Sequence, residues 1–389
     1  MTELVAGNRL TLLECGRAYF PALEAACDEA KREIHIETYL FERDVAGERI
    51  AQSLMRAAKR GVATHVLVDG YGSRKLPRTL VDDFKAAGVK FMIYRPDIAP
   101  WTLQRQRLRR MHRKLAVIDA HVAFVGGINV IDDMHTPRHT PPRVDYAVRV
   151  EGPLLEAIHA AAKRLWAIVQ LTQFGAGWPE LEGSVEPDTA RRGTQRAAFL
   201  VRDNLGHRTD IEEAYLEAIA KARSEILIAS SYFFPGRGFR HALMAAAARG
   251  VRVILLLQGR VEYRLLHYAS RALYGALLKA DIEIHEYHKS FLHAKVAVID
   301  ARWATVGSSN IDPFSLLLAR EANIVSEDEV FAAELRSRLE AAIEGGARQV
   351  RRDTWRKQPL PARFAYWTCY GLARLLIGVF AYGQREELT

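Results

Sequence analysis

Two kinds of pattern alternate along the chain. Short apolar runs such as Val66 to Val68, Leu115 to Ile118, Val253 to Leu257 and Val296 to Ile299 predict buried strands, and stretches such as Arg49 to Arg60 and Asp210 to Ala222 place apolar residues at helical spacing. Ala57-Ala58-Lys59-Arg60-Gly61-Val62 and Ala247-Ala248-Arg249-Gly250-Val251 each read as a helix ended by a glycine and followed by a strand. Strands alternating with amphipathic helices predict an α/β fold with a largely buried mixed sheet flanked by helices.

The pattern occurs twice. Glu33 to Phe41 resembles Glu225 to Phe233, Gly88 to Tyr94 corresponds to Asp281 to Tyr287, and Met111 to Asn129 corresponds to Leu292 to Asn310 at a constant offset of 181 residues. Two pseudo-symmetric halves are therefore expected. The reading places the first half at residues 1–184, a linker at 185–196 within the Gly-, Pro- and Glu-rich stretch Gly175 to Arg196, the second half at 197–345, and a separate C-terminal segment at 346–389.

The repeated stretch carries the chemistry. His112, Lys114 and Asp119 form a His-x-Lys-x4-Asp motif, and His293, Lys295 and Asp300 form the second copy. Side chains alternate along a strand, so His and Lys two residues apart face one ligand. A following strand ends in Gly126-Gly127-Ile128-Asn129 or Gly307-Ser308-Ser309-Asn310, where glycine permits close backbone approach and the Asn129 and Asn310 amides offer donors to phosphate. Brought together, the two copies suit displacement at a phosphodiester: one neutral His attacks phosphorus and the other, protonated, serves the leaving oxygen. The scheme calls for no metal and no cofactor, and no His-Cys-carboxylate cluster has zinc spacing. A nucleophilic His needs its second nitrogen held by a carboxylate, for which Asp145 and Glu321, about 30 residues beyond each His, are the candidates. Asp119 and Asp300 end a strand before a turn, so a structural role is expected of them. His135 and His139 read as surface residues.

Charge and composition narrow the partner. The chain has 389 residues and 55 Lys and Arg against 46 Asp and Glu, a formal charge of +9 that favours an anionic partner, phospholipid or nucleic acid. Cys15, Cys27 and Cys369 form no metal pair or disulfide framework, which points to a reducing compartment. Met1 to Leu13 shows no signal-peptide or anchor pattern, so a soluble, cytoplasmic catalytic body is expected. An insertion in the first half, Pro96 to Arg110, mixes Trp101, Leu103 and Leu108 with Arg105, Arg107, Arg109 and Arg110 beside the motif. After Arg348, Arg351, Arg352, Arg356 and Lys357, the aromatic stretch Phe364 to Gly383 is just long enough to span a bilayer, but Arg374 near its middle favours a helix lying in the interface, with Tyr366, Trp367 and Tyr370 at headgroup depth. Docking of that helix on the protein's own core is the alternative.

The paired motifs with Gly-Gly-x-Asn and Gly-Ser-x-Asn resemble the phospholipase D superfamily over nearly the whole chain. Gly7-Asn8-Arg9, Glu37-Thr38-Tyr39-Leu40-Phe41, Asp69-Gly70-Tyr71-Gly72-Ser73 and Phe124 to Asn129 with Glu151-Gly152-Pro153 resemble bacterial cardiolipin synthases of the B-type branch. The resemblance implies two phospholipase D-like halves sharing one active site. It also implies transfer of a phosphatidyl group from phosphatidylglycerol to a second lipid alcohol through a phosphohistidine, releasing glycerol, with His112 as nucleophile and His293 as acid and base. Ser308 joins the implied phosphate cradle, but Gly127 stands at the matching place in the first half, so the two sides are unequal. Anionic phospholipid and a membrane surface are the expected partners, with no obligatory nucleic acid. The expected location is the cytoplasmic face of the bacterial inner membrane, peripheral or monotopic through the C-terminal segment. A chain with both copies can complete its site as a monomer. A phospholipase D-type hydrolase or nuclease is the competing function.

Overall fold

A computed structural model describes residues 2–96, 110–136, 140–174, 185–203, 206–261, 264–312 and 319–382. The inserted residues Trp101, Leu103, Arg105, Arg107, Leu108 and Arg109, together with His139, lie outside the described residues. The first half contributes β1 (Val5–Glu14), β2 (Glu33–Thr38), β3 (Ala63–Asp69), β4 (Lys90–Tyr94), β5 (Lys114–Ile118), β6 (Val122–Gly126), β7 (Arg143–Val144) and β8 (Tyr146–Glu151). The second contributes β9 (Gln195–Arg202), β10 (Glu225–Ser230), β11 (Arg252–Gln258), β12 (Glu283–Tyr287), β13 (Phe291–Leu292), β14 (Lys295–Ile299), β15 (Trp303–Gly307), β16 (Glu321–Glu327) and β17 (Ala347–Gln349).

The halves repeat one topology. In the first, β4, β3 and β2 run parallel and continue through antiparallel β5, β6, β8 and β1; in the second, β12, β11 and β10 are parallel and continue through β14, β15, β16 and β9. The two sheets merge, because β1 pairs antiparallel with β9 at Val5 and Ala197, giving one 15-stranded sheet that β17 extends beside β12. Every residue of the central strands β5 and β14 is buried, as the four apolar residues after each opening lysine predict for strands covered on both faces.

Helices cover the sheet where the sequence has amphipathic spacing. The predicted first helix is Val45–Lys59, capped by the Asp44 carboxylate accepting from Gly47 N–H at 2.9 Å, and its buried Ile50, Ala51, Leu54 and Ala57 line the first-half core. Its counterpart, Asp210–Lys221, buries Ile211, Tyr215 and Ile219 in the second-half core. A third core cluster is common to both halves and lies under Leu155–Phe174 and Glu329–Gly346. Each of these two helices is tied to the first residue of a central strand. His159 pairs with Glu33 in one half and Arg336 with Glu225 in the other. His35 lies in the same cluster as Glu33 and His159, with ligand atoms within 4.8 Å, but the matching Glu225–Arg336 pair marks this place as a helix anchor.

The motif aspartates sit at the far end of their strands from the His and Lys. Asp119 accepts from the N–H groups of Lys31, Arg32 and Glu33 at 2.8, 2.8 and 2.9 Å, and Asp300 accepts from Arg223, Ser224 and Glu225 at the same three distances. Both residues adopt positive φ, 51° and 52°, which Asp tolerates better than most residues. Asp119→Ala and Asp300→Ala are each expected to cost about 2 kcal/mol in chemical denaturation, from lost charge-assisted hydrogen bonds. The folded fraction should keep transfer activity; a loss of kcat without a loss of stability would contradict the structural role.

The C-terminal helix Leu360–Tyr382 packs along Arg264–Lys279. Tyr366 and Tyr370, expected at headgroup depth, turn inward instead: Tyr366 stacks on Trp355 and Tyr268, and Tyr370 meets Phe234 at 5.5 Å. The opposite face is bare, with Leu360, Phe364, Trp367 and Leu375 exposed by 75, 75, 57 and 64%. Their spacing of four, three and eight residues puts them on one side of the helix. Among the described residues, no helix is long and apolar enough to cross a membrane.

Candidate active site

The site is assembled by two short contacts between the halves. β7 and β13 leave the main sheet and pair with each other in parallel, and a second parallel bridge joins Met111 to Arg320. His293 N–H then donates to the Val144 carbonyl at 2.8 Å, and His112 N–H donates to the Arg320 carbonyl at 2.9 Å. Each motif histidine thereby lies against the carboxylate that follows those carbonyls, on the other half of the molecule.

The pairing is crossed. His112 Nδ1 lies 2.9 and 3.1 Å from the two oxygens of Glu321, and His293 Nδ1 lies 2.6 Å from Asp145 Oδ2. A carboxylate at Nδ1 holds the proton there and leaves Nε2 as the reactive nitrogen. A spacing of about 30 residues along the chain would pair each carboxylate with the His of its own half, whereas the fold exchanges them. The lysines lie at the same end of the sheet. Lys114 Nζ donates to the His112 carbonyl at 2.5 Å, and Lys295 Nζ donates to the His293 carbonyl, lies 3.6 Å from Asp145 and reaches Ser231 Oγ at 3.4 Å.

The glycine and serine that distinguish the two motifs have a shared reason. A β-carbon on Gly127 would come within 2.3 Å of Asp145 Oδ1, so only glycine fits behind that carboxylate. Ser308 is fully buried and its hydroxyl donates to Glu321 at 2.5 Å, which puts it behind the His112 partner. Asn129 and Asn310 are buried on the loops after β6 and β15, and Asn129 Oδ1 accepts from Leu40 N–H at 3.1 Å. Tyr39, part of the run Glu37 to Phe41 noted for its resemblance but given no site role, meets His112 edge-on at 5.0 Å and lies under Lys114 at 5.5 Å. Besides that run, the signal for a site role was its place one residue beyond β2, at the sheet end where the motif begins.

Burial and mutual charge set the protonation states. Burial pushes the His293 imidazole down to about 3, helped by Lys295 and opposed by Asp145. Burial also lowers His112, with Glu321 opposing. Burial brings Lys114 down to about 7, Glu321 acting against the change and Lys295 with it. For Asp145 burial works upward, but Lys295 and His293 outweigh it and hold the carboxylate below its usual range. A phosphodiester entering this pocket brings a negative charge that favours lysine ammonium groups and a protonated histidine.

These shifts extend beyond the site. His65 is lowered to about 3 and His267 to about 4, chiefly by burial. The folded chain thus keeps His65, His267 and His293 neutral, while the unfolded chain binds protons below roughly pH 6.5. Stability is full above that value and is lost as pH falls toward 3. Denaturation midpoints should drop steadily between pH 7 and 4; a flat profile there would exclude neutral buried histidines.

A family model described as cardiolipin synthase, PLD-like domain, matches twice, over residues 23–139 and 215–343, one match for each half. Cardiolipin synthase B of Escherichia coli (strain K12) is 39% identical over 354 residues, spanning 88% of this chain and 82% of that one. The chain belongs to the phospholipase D-like cardiolipin synthase family. Within that family the B-type branch fits, since cardiolipin synthase A of Proteus mirabilis (strain HI4320) is 28% identical over 377 residues, 96% of this chain and 76% of that one. A crystal structure of phosphatidylserine synthase from Haemophilus influenzae Rd KW20 shares the fold, with a TM-score of 0.72 at 12% identity over 97% of both chains. The duplicated half of this cardiolipin synthase fold explains why its site needs both copies: each supplies one His, one Lys and the carboxylate for the other copy's His.

Proposed function

We propose that this cardiolipin synthase joins two phosphatidylglycerol molecules in two steps, with His112 as nucleophile and His293 as acid and base. In the first step His112 Nε2 attacks phosphorus, the P–N bond forms, the P–O bond to glycerol breaks, and His293 gives its proton to the departing oxygen. In the second, His293 takes the proton of the glycerol hydroxyl of a second lipid, the new P–O bond forms and the P–N bond breaks. Cardiolipin and free glycerol are the products. The observation that carries this reading is the pair of carboxylate-held histidines, each flanked by a buried lysine that offers positive charge to the phosphoryl oxygens. Asn129 and Asn310 are assigned to the same oxygens, and Ser308 to holding Glu321.

The test is to incubate the purified chain with phosphatidylglycerol vesicles and a chelator and to follow lipids and glycerol by mass spectrometry. Cardiolipin and glycerol in equal amounts are expected. Phosphatidic acid alone, or cleavage of DNA in a parallel reaction, would favour the hydrolytic alternative.

The exposed face of the C-terminal helix supports peripheral docking on an anionic phospholipid surface, with Leu360, Phe364, Trp367 and Leu375 inserted at the interface and Arg351, Arg352, Arg356, Lys357 and Arg363 at headgroup level. The leaflet we assign is the cytoplasmic one of the bacterial inner membrane. Replacing Phe364 and Trp367 by Ser should lower the vesicle-bound fraction about tenfold or more in sedimentation, at unchanged thermal stability. Binding that survives the double change would place the membrane contact elsewhere.

A further inference from the structure

The two halves differ beside their lysines. Aligning Glu33 with Glu225 puts Tyr39 opposite Ser231, and aligning β3 with β11 puts Asp69 opposite Gln258. In the first half both places are filled and satisfied: Tyr39 packs against His112 and Lys114, and Asp69 accepts from Tyr71, Gly72 and Met111 N–H at 2.8, 3.1 and 2.9 Å. In the second half the small Ser231 leaves space, and a cavity of about 30 Å³ opens among Ser231, Gln258, Arg260, His267, Ser270 and Tyr274. Gln258 is only 7% exposed, and its amide nitrogen has no hydrogen-bond partner among the described residues. A buried amide donor left open beside a small polar cavity is costly unless a ligand meets it.

We propose that this cavity is the alcohol subsite of the transfer reaction, binding the outer hydroxyls of the glycerol that leaves phosphatidylglycerol and of the one that attacks next. The position agrees with the roles above, on which the proposal rests. Ser231 lies within reach of Lys295, so the cavity is on the His293 side, where protons pass to and from the alcohol oxygen. The lining also fits a neutral polyol. Gln258 Nε2 is open to donate, the Ser270 and Tyr274 hydroxyls are polar neighbours, and the Arg260 guanidinium backs the wall while bonded to the His288 carbonyl at 3.0 and 2.7 Å. Among the described residues no carboxylate lines the cavity directly, although Glu286 is hydrogen-bonded to the lining Tyr274. The volume accommodates about one hydroxyl-bearing group beyond the reacting oxygen.

The experiment compares alcohols as acceptors from phosphatidylglycerol in vesicles, using the full chain and reading each phosphatidyl ester by mass spectrometry. The acceptors are deuterated glycerol, whose phosphatidyl ester is heavier than the donor, 1-propanol and ethanolamine, alongside the second lipid itself. The unaltered protein should prefer glycerol over 1-propanol by about tenfold or more in kcat/KM, and Gln258→Leu should bring that ratio close to one while lowering the cardiolipin share relative to phosphatidic acid. Ser231→Tyr, which installs the first half's residue, should do the same and serves where leucine at 258 is not tolerated. If both folded variants lose all acceptors in equal proportion, or keep the glycerol preference, the subsite is not here and the proposed function still stands. If the unaltered protein forms no cardiolipin, the functional reading itself has failed. Selective loss with free glycerol but not with the lipid acceptor would confine the cavity to the departing product and overturn its shared use.

Discussion

His112→Ala and His293→Ala are each expected to reduce phosphatidyl transfer by at least about 10⁴-fold, because members of a unit that act together are removed singly. The two variants should part at the intermediate. A phosphatidyl donor with a nitrophenol leaving group needs no acid, so His293→Ala should still transfer phosphorus to His112. Without a base for the second step, the phosphoenzyme should then accumulate as an acid-labile, alkali-stable adduct visible by intact-protein mass spectrometry. His112→Ala should show no adduct. An adduct in His112→Ala alone would exchange the two roles, and its absence from both would remove the covalent scheme.

The second large effect concerns the carboxylates. Asp145→Asn and Glu321→Gln keep shape but lose the charge that orients an imidazole and stabilises its protonated form, so each should lower kcat by about 10²- to 10⁴-fold. The crossed geometry makes a sharper claim. Glu321→Gln should fail as His112→Ala does, without a trapped adduct, and Asp145→Asn should fail as His293→Ala does, with one. Adding Glu321→Gln to His112→Ala should cost little more, because the pair acts through one imidazole. If Asp145→Asn instead coupled to His112→Ala, the exchange of carboxylates between halves would be refuted.

Legibility in the sequence followed the range of the physics. β5 and β14 could be read because four apolar residues between Lys and Asp have few alternatives to a buried strand, and Val45–Lys59 because its apolar stripe and glycine stop agree. The structural part expected of Asp119 and Asp300 was also legible, since a polar residue ending a strand has local N–H groups to satisfy. The inward turn of Tyr366 and Tyr370 was not. An aromatic residue suits a lipid interface and a helix–helix seam equally, and only the presence of Arg264–Lys279 alongside separates the two. Likewise, Tyr39 and Ser231 fall in the repeated runs and Gln258 in none, but the runs assign them no role; they stand out once the halves are superposed and a cavity is found where the other half has a ring.

What the sequence determined by itself was the duplicated unit, the identity of the His and Lys pairs, and the face each pair shares, because side-chain alternation along a strand is a local property of period two. The tertiary structure alone decided which carboxylate serves which histidine. His112 and Glu321 are separated by 209 residues and His293 and Asp145 by 148, and they meet only because short parallel bridges carry each half across to the other. Contacts of that separation depend on how two complete cores pack, and no local pattern of hydrophobic and polar positions records that packing.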